Sequence, residues 1–263
     1  MEVIIRPNAD SAAALTAALI AKDLKANPKL VMGLATGRTM EQVYSILIDL
    51  HKNEGLDFSQ STTFNLDEYI GIAPEDKNSY RYYMNERLFK QVNIKMESTN
   101  LPNGVAEDLV AECLAYDEKI KQVGGIDFQL LGIGRTGHIG FNEPLSSFQS
   151  RTRCKPLTPV TFAQNSPLFD DPSQMPLRAM TMGIATILES KNCVMLATGA
   201  EKADIISKAV EGPMTSMISA TALQMHPKCV VIVDEPAAAK LEQREYYDWI
   251  LLNEPKWEEF RNI

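Results

Sequence analysis

The chain has 263 residues, 45% of them hydrophobic and 23% charged, the balance of a globular protein with a sizeable core and not of a disordered or coiled-coil chain. At about 150 residues per domain this length allows one large domain or two small ones, and the unbroken pattern described below is read as a single domain over residues 1–263. A formal net charge of −8 repels nucleic-acid backbones and anionic lipid, so neither is expected as a partner, whereas a small anion can still be held by a few donors at short range.

In chain order, short apolar runs predict strands at residues 3–5, 30–35, 62–66, 128–133, 193–197 and 229–233. Helical spacing recurs between them, as at Met40, Val43, Tyr44 and Leu47. The alternation predicts an α/β fold: a Rossmann-like open, mostly parallel sheet with helices on both faces. The opening run, Val3 to Ile5, is too short for a signal peptide, and no window approaches the ~20 apolar residues of a membrane span. Thr39 and Gln42 are spaced as a capping box for the helix after the second strand. Further helices are expected at about 108–123 and 200–210, stopped by Gly124-Gly125 and by Gly212-Pro213. The proline-rich stretch 158–176 has little periodicity and is read as an irregular segment, either a lid over a site or a structural wrap. Cys113, Cys154, Cys193 and Cys229 are far apart with no metal-ligand spacing, so reduced thiols, a cytoplasmic location and no metal are expected.

In an open parallel sheet ligands bind beyond the carboxyl ends of the strands, and four of the turns there carry chemistry. After the second strand, Thr36-Gly37-Arg38-Thr39 offers backbone N–H groups, a helix N-terminus and a guanidinium to an anion; an ordinary hydroxyl-capped turn is the alternative. After the third, Asp67 and Glu68 place carboxylates at a strand end, where a desolvated one serves as a general base. After the fourth, Gly132, Gly134 and Gly137 satisfy G-x-G-x-x-G, but Gly140 and Pro144 interrupt the helix that a dinucleotide site requires. Those glycines are better suited to bringing backbone close to a compact ligand while presenting His138 with Glu143, a pair able to carry protons near neutral pH. Of three histidines, His51 and His226 are assigned to structure, which leaves His138 as the catalytic candidate. After the fifth strand, Lys202 sits in a first helical turn, where a cation is disfavoured unless an anion binds beside it.

The segments LATGRTMEQVY, TTFNLDEYIG, LGIGRTGHIGFNEP, SRTRCKPLT, ATGAEKA and ISATALQMHPKCVVIVDEPAA together resemble the glucosamine-6-phosphate deaminase family over nearly the whole chain. The related 6-phosphogluconolactonases share the sheet and the Gly-rich turn but usually continue differently after the His, and FNEP favours the deaminases. The resemblance implies conversion of glucosamine 6-phosphate and water into fructose 6-phosphate and ammonia, with no metal or organic cofactor. It implies Asp67 as the base that moves a proton from C2 to C1 through an enolamine, and His138 as the ring-opening residue, oriented by Glu143. It places the phosphate at Lys202 and the Thr36, Gly37, Arg38 and Thr39 turn, with Gly137 grouped among the substrate-binding residues.

Two positions depart from the family pattern. Thr136 stands where relatives carry Asp or Asn beside the catalytic His; it can hydrogen-bond but brings no charge. Pro167 stands where many relatives carry an Arg on the phosphate, and Arg38 supplies a cation where many have a small residue. Ser146, Arg153 and Lys155 match part of a second, activating site that some relatives form between subunits. The sequence leaves open whether the chain is a monomer or a homo-oligomer. It also leaves a lactonase and a non-catalytic sugar-phosphate sensor as the alternative functions.

Overall fold

The computed structural model describes residues 1–263. Strand β1 (Glu2–Arg6) leads into helix α1 (Ala9–Ala26), then β2 (Val31–Leu34), α2 (Arg38–Glu54), β3 (Thr62–Asn65), β4 (Asp67–Tyr69), α3 (Tyr80–Arg87), β5 (Thr99–Asn100) and α4 (Leu109–Gln122). The chain continues through β6 (Phe128–Leu131), β7 (Arg153–Pro156), α5 (Pro159–Asn165), β8 (Arg178–Thr181), α6 (Ile184–Leu188) and β9 (Asn192–Ala197). It ends with α7 (Ala203–Val210), β10 (Cys229–Asp234), α8 (Glu235–Ala238) and α9 (Arg244–Asn253).

Seven strands form one sheet in the order β1-β10-β9-β6-β2-β3-β5, and every neighbouring pair is parallel. All six strands expected from sequence lie in it. Successive strand residues point to opposite faces, yet every residue of β2 and of β6 is buried, so both faces are covered. Helix α1 lies along β9 and β10, and α4 sets Tyr116 edge-on to Phe64 of β3. One contiguous apolar core runs from Val3 on β1 to Phe260 near the carboxyl terminus. No helix is long and apolar enough to cross a membrane.

The order of strands fixes where a ligand can sit. From β2 the chain adds β3 and β5 on one side, then returns to place β6, β9 and β10 on the other. The turns after β2 and β6 therefore diverge and open a crevice between them, the usual binding position of a doubly wound sheet.

Three features differ from the sequence expectations. A second, antiparallel sheet, β4-β8-β7, pairs Asp67 with Thr181 and Thr181 with Arg153. Its strands have only three or four residues, too short to show a period of two. The Thr39–Gln42 capping box does not form: Gly37 is the N-cap with φ 115°, so Thr39 already lies in the first turn and Gln42 reaches Asp10 on α1. Residues 158–176 are not irregular but contain α5 and two 3-10 turns, Ser166–Leu168 and Pro172–Gln174. Pro159 and Pro172 are the first residues of their pieces and Pro167 the second of its own, positions where a missing N–H costs nothing. A small cluster of Phe169 and Met175 with Tyr69, Phe141 and Ala179 pins the segment to β4 and β8.

Helix α4 is capped by Asp108, which accepts from the N–H groups of Val110 and Ala111. The helix expected at 200–210 opens as a 3-10 turn, Ala200–Lys202, before α7. His51 Nδ1 meets the Leu56 carbonyl at 2.7 Å and His226 Nε2 the Ser190 carbonyl at 2.7 Å, as befits structural residues.

Candidate active site

A pocket of about 540 Å³ opens over the carboxyl ends of β2, β3, β6 and β9. Thr36, Gly37, Arg38 and Thr39 after β2, Asp67 after β3, His138 after β6 and Lys202 after β9 all line it. The turn after β2 is held from outside: Tyr83 Oη donates to the Gly37 carbonyl at 2.9 Å and Tyr44 Oη to that of Ala35. Helix α2 has no side-chain cap, so its first amides remain free to face an anion. Arg38 is exposed and makes no ion pair or hydrogen bond within the chain.

Asp67 is buried at the start of β4, directly after β3. Burial and then the neighbouring Glu68 charge push its carboxyl up to about 8, against a smaller opposing effect from the Phe141 N–H. The two adjacent acids have separate tasks. Glu68 turns away from the pocket and accepts from the N–H groups of Tyr69, Tyr80 and Arg81, each at 2.9 Å, which anchors the start of α3. Asp67 is left as the carboxyl facing the pocket.

The turn after β6 closes through Gly137 N–H to the Gly134 carbonyl at 3.0 Å and Gly134 N–H to the His138 carbonyl at 2.9 Å. It presents His138 with its Nδ1 2.8 Å from Thr136 Oγ1 and 3.2 Å from Glu143 Oε2. Thr136 Oγ1 in turn donates to Glu143 Oε2 at 3.1 Å. A hydroxyl that accepts from Nδ1–H and donates to a carboxylate fixes one tautomer, with the Nε2 lone pair left for a substrate. Burial pushes the Glu143 carboxyl up, but hydrogen bonding and charge from His138, then Thr161 and the Thr158 N–H, outweigh it and hold the carboxyl at about 2. The last two donors belong to the start of α5, so the 158–176 segment touches the histidine's partner directly.

Gly134 is required by space: a Cβ there would stand 2.1 Å from His138 Nε2. Gly137 lies in the same turn with φ 79° but is not among the residues lining the pocket; a Cβ on it would meet Ile218 and Ile205 at 2.5 and 2.8 Å.

Lys202 reaches the pocket because Asp234 fixes the turn before it, accepting from Gly199 N–H at 3.0 and 3.1 Å. Its ammonium donates to the Ile133 carbonyl at 2.7 Å, and burial lowers its pKa. Ser146 and Arg153 meet each other away from the pocket: the guanidinium donates to Ser146 Oγ at 2.9 Å and to Asn142 Oδ1 at 2.8 Å. It thereby braces the loop that carries Glu143. Lys155, two residues along β7, makes no side-chain bond within the chain.

Sequence reasoning did not single out Tyr80, Arg135, Gln164 or Asn165, all of which line the pocket. Tyr80 comes from α3 and stacks on Phe141 with ring centroids 6.0 Å apart, and no local motif marks it. Arg135 lay inside the quoted Gly-rich turn, and its charge beside three glycines was the available signal.

A family model described as glucosamine-6-phosphate isomerases/6-phosphogluconolactonase matches residues 7–232. A glucosamine-6-phosphate deaminase of Hahella chejuensis is 48% identical over 250 residues, 95% of each chain. One from Shewanella woodyi is 46% identical over 250 residues, again 95% of each chain. A solved structure of a monomeric glucosamine-6-phosphate deaminase superposes with a TM-score of 0.90 at 42% identity, covering 91% of this chain and 100% of that one. The chain belongs to the glucosamine-6-phosphate isomerase/6-phosphogluconolactonase family.

Proposed function

We propose that this chain converts glucosamine 6-phosphate and water into fructose 6-phosphate and ammonia. The observation that carries the reading is one pocket lined by a buried carboxyl, Asp67, an oriented imidazole, His138, the amino end of α2 and the Lys202 ammonium. Relatives bearing the deaminase name over 95% of their length support it. In this reading the phosphate lies at Lys202 and the amides of Thr36 to Thr39. His138 opens the ring by taking the proton of the anomeric hydroxyl on Nε2 and passing it to the ring oxygen, steadied through Thr136 and Glu143. Asp67 then removes the C2 proton, and its conjugate acid protonates C1 of the enolamine. The resulting C2 imine adds water and expels ammonia, which balances the reaction. Residues 1–263 work as one unit, with 158–176 as a lid: Gln164, Asn165 and Leu168 face the pocket. The reduced thiols fit a cytoplasmic enzyme.

A lactonase reading leaves Asp67 without a task, although its carboxyl is buried in the pocket at the cost of desolvation. A sensor reading does not require the His138–Thr136–Glu143 chain to be intact. Incubation of the purified chain with glucosamine 6-phosphate tests the proposal. Ammonium and fructose 6-phosphate in equal amounts are expected; opening of 6-phosphogluconolactone without ammonium release would replace deamination by lactone hydrolysis, and neither activity would leave the sensor.

Two substitutions probe the parts. Gly134→Ala is expected to lower kcat about 100-fold with the fold intact, because its Cβ drives the imidazole aside and misplacement of about 1 Å costs that much. A kcat within twofold of wild type would show that His138 tolerates the shift. Arg38→Gly is expected to raise KM about tenfold or more, the size of one hydrogen bond to a charged group. Pro167→Arg in that background should recover part of the affinity. An unchanged KM in Arg38→Gly would mean that Arg38 does not replace the missing Arg at 167.

A further inference from the structure

Resting on the phosphate placement just given, we propose that Arg135 is a third cationic ligand of the sugar phosphate, and the one that sets preference for a doubly charged ester over a singly charged one. The sheet places it there. β6 lies between β9 and β2, so the turn carrying Arg135 separates the Lys202 turn from the amino end of α2. An anion that touches both lies beside the turn that carries Gly132 and Arg135, which line the same pocket.

Arg135 is exposed, lines the pocket and has no hydrogen bond or ion pair within the chain. Its five N–H groups are therefore all available for a planar, paired contact with phosphate oxygens. Lys202 is less free, since its ammonium is already committed in part to the Ile133 carbonyl, two residues before Arg135. Of the pocket acids other than Asp67, Glu41 faces Arg87 at 3.5 Å and Glu201 lies against Gly199. Burial lowers the Lys202 pKa most, the Glu201 charge opposes that, and the Arg135 charge, a smaller effect, lowers it again. Arg135 and Lys202 thus feel each other across the pocket, and a doubly charged phosphate offsets the repulsion between two cations more than a singly charged group does.

Glucosamine 6-phosphate and glucosamine 6-sulfate have nearly the same shape but differ by one charge when the phosphate is fully ionised. Arg135→Gln is expected to raise KM for the phosphate about tenfold while kcat changes much less. Its inhibition constant for the sulfate should change under threefold, so the preference for phosphate shrinks; Arg135→Lys should restore part of it. A KM within twofold of wild type, or equal weakening of both ligands, overturns the proposal. Inorganic phosphate binding by calorimetry separates this from the deaminase reading. If the wild type releases no ammonium yet Arg135→Gln still weakens phosphate binding, the deaminase reading fails and the anion site stands; unchanged phosphate binding removes Arg135 from the site in either case.

Discussion

Asp67→Asn lowers ammonium release from glucosamine 6-phosphate by a factor of about 10³ or more and at the same time raises the melting temperature at alkaline pH. The first effect follows because an amide of nearly the same volume cannot accept the C2 proton, and a positioned base contributes about 10²–10⁴ in rate. The second follows from burial. The folded chain holds the Asp67 proton up to about pH 8, whereas an unfolded Asp loses its proton near ~3.9. Between those values the folded state binds the extra proton, so the contribution of this carboxyl to stability falls as pH rises through that window. Asparagine has no charge to bury. Its advantage should shrink toward pH 4 and reach about 3 °C or more at pH 9, since ~1 kcal/mol moves the midpoint of a chain near this size by about 2–4 °C. The wild-type kcat/KM, which reports ionisations of free enzyme and free substrate, should climb with pH to about 8. A mutant no more stable at pH 9 than wild type would show that Asp67 is not the buried acid described above.

His138→Gln gives the second large loss, about 10²–10⁴ in kcat on cyclic glucosamine 6-phosphate. On substrate presented in open-chain form the loss should be much smaller, because only the ring form needs its oxygen protonated. Glu143→Gln should share that asymmetry in weaker form, since it leaves the imidazole in place but removes the carboxylate behind it. Equal losses on both forms would assign His138 to a later step.

The sheet was legible because parallel strands buried on both faces read as continuous apolar runs, and the residues after them fall at one end by topology. Asp67, His138 and Lys202 could therefore be placed near one another before any coordinates. What escaped was decided by packing. Strands β4, β7 and β8 are too short to show alternation, so the antiparallel sheet that buries Asp67 against Thr181 left no local mark. Thr39 and Gln42 have the spacing of a capping box, but Gly37 starts the helix earlier and Asp10, distant in sequence, takes the Gln42 amide. Pro159, Pro167 and Pro172 read as breakers yet sit in the first two positions of short helices. Gly137 completes the G-x-G-x-x-G spacing, but what surrounds it, Ile205 and Ile218, comes from distant segments that no local pattern reveals. Tyr80 reaches the pocket only because Glu68 holds the start of α3 beside it.

The central claim is that Asp67 carries a hydrogen away from C2 before nitrogen leaves. Glucosamine 6-phosphate deuterated at C2, turned over in ordinary water, tests it with one product analysis. Ammonium release is expected to be slowed by the deuterium, and the fructose 6-phosphate to carry it at C1 or to have lost it to solvent. Ammonium release at the undeuterated rate, giving an aldose 6-phosphate that still carries the deuterium at C2 in place of fructose 6-phosphate, would contradict it.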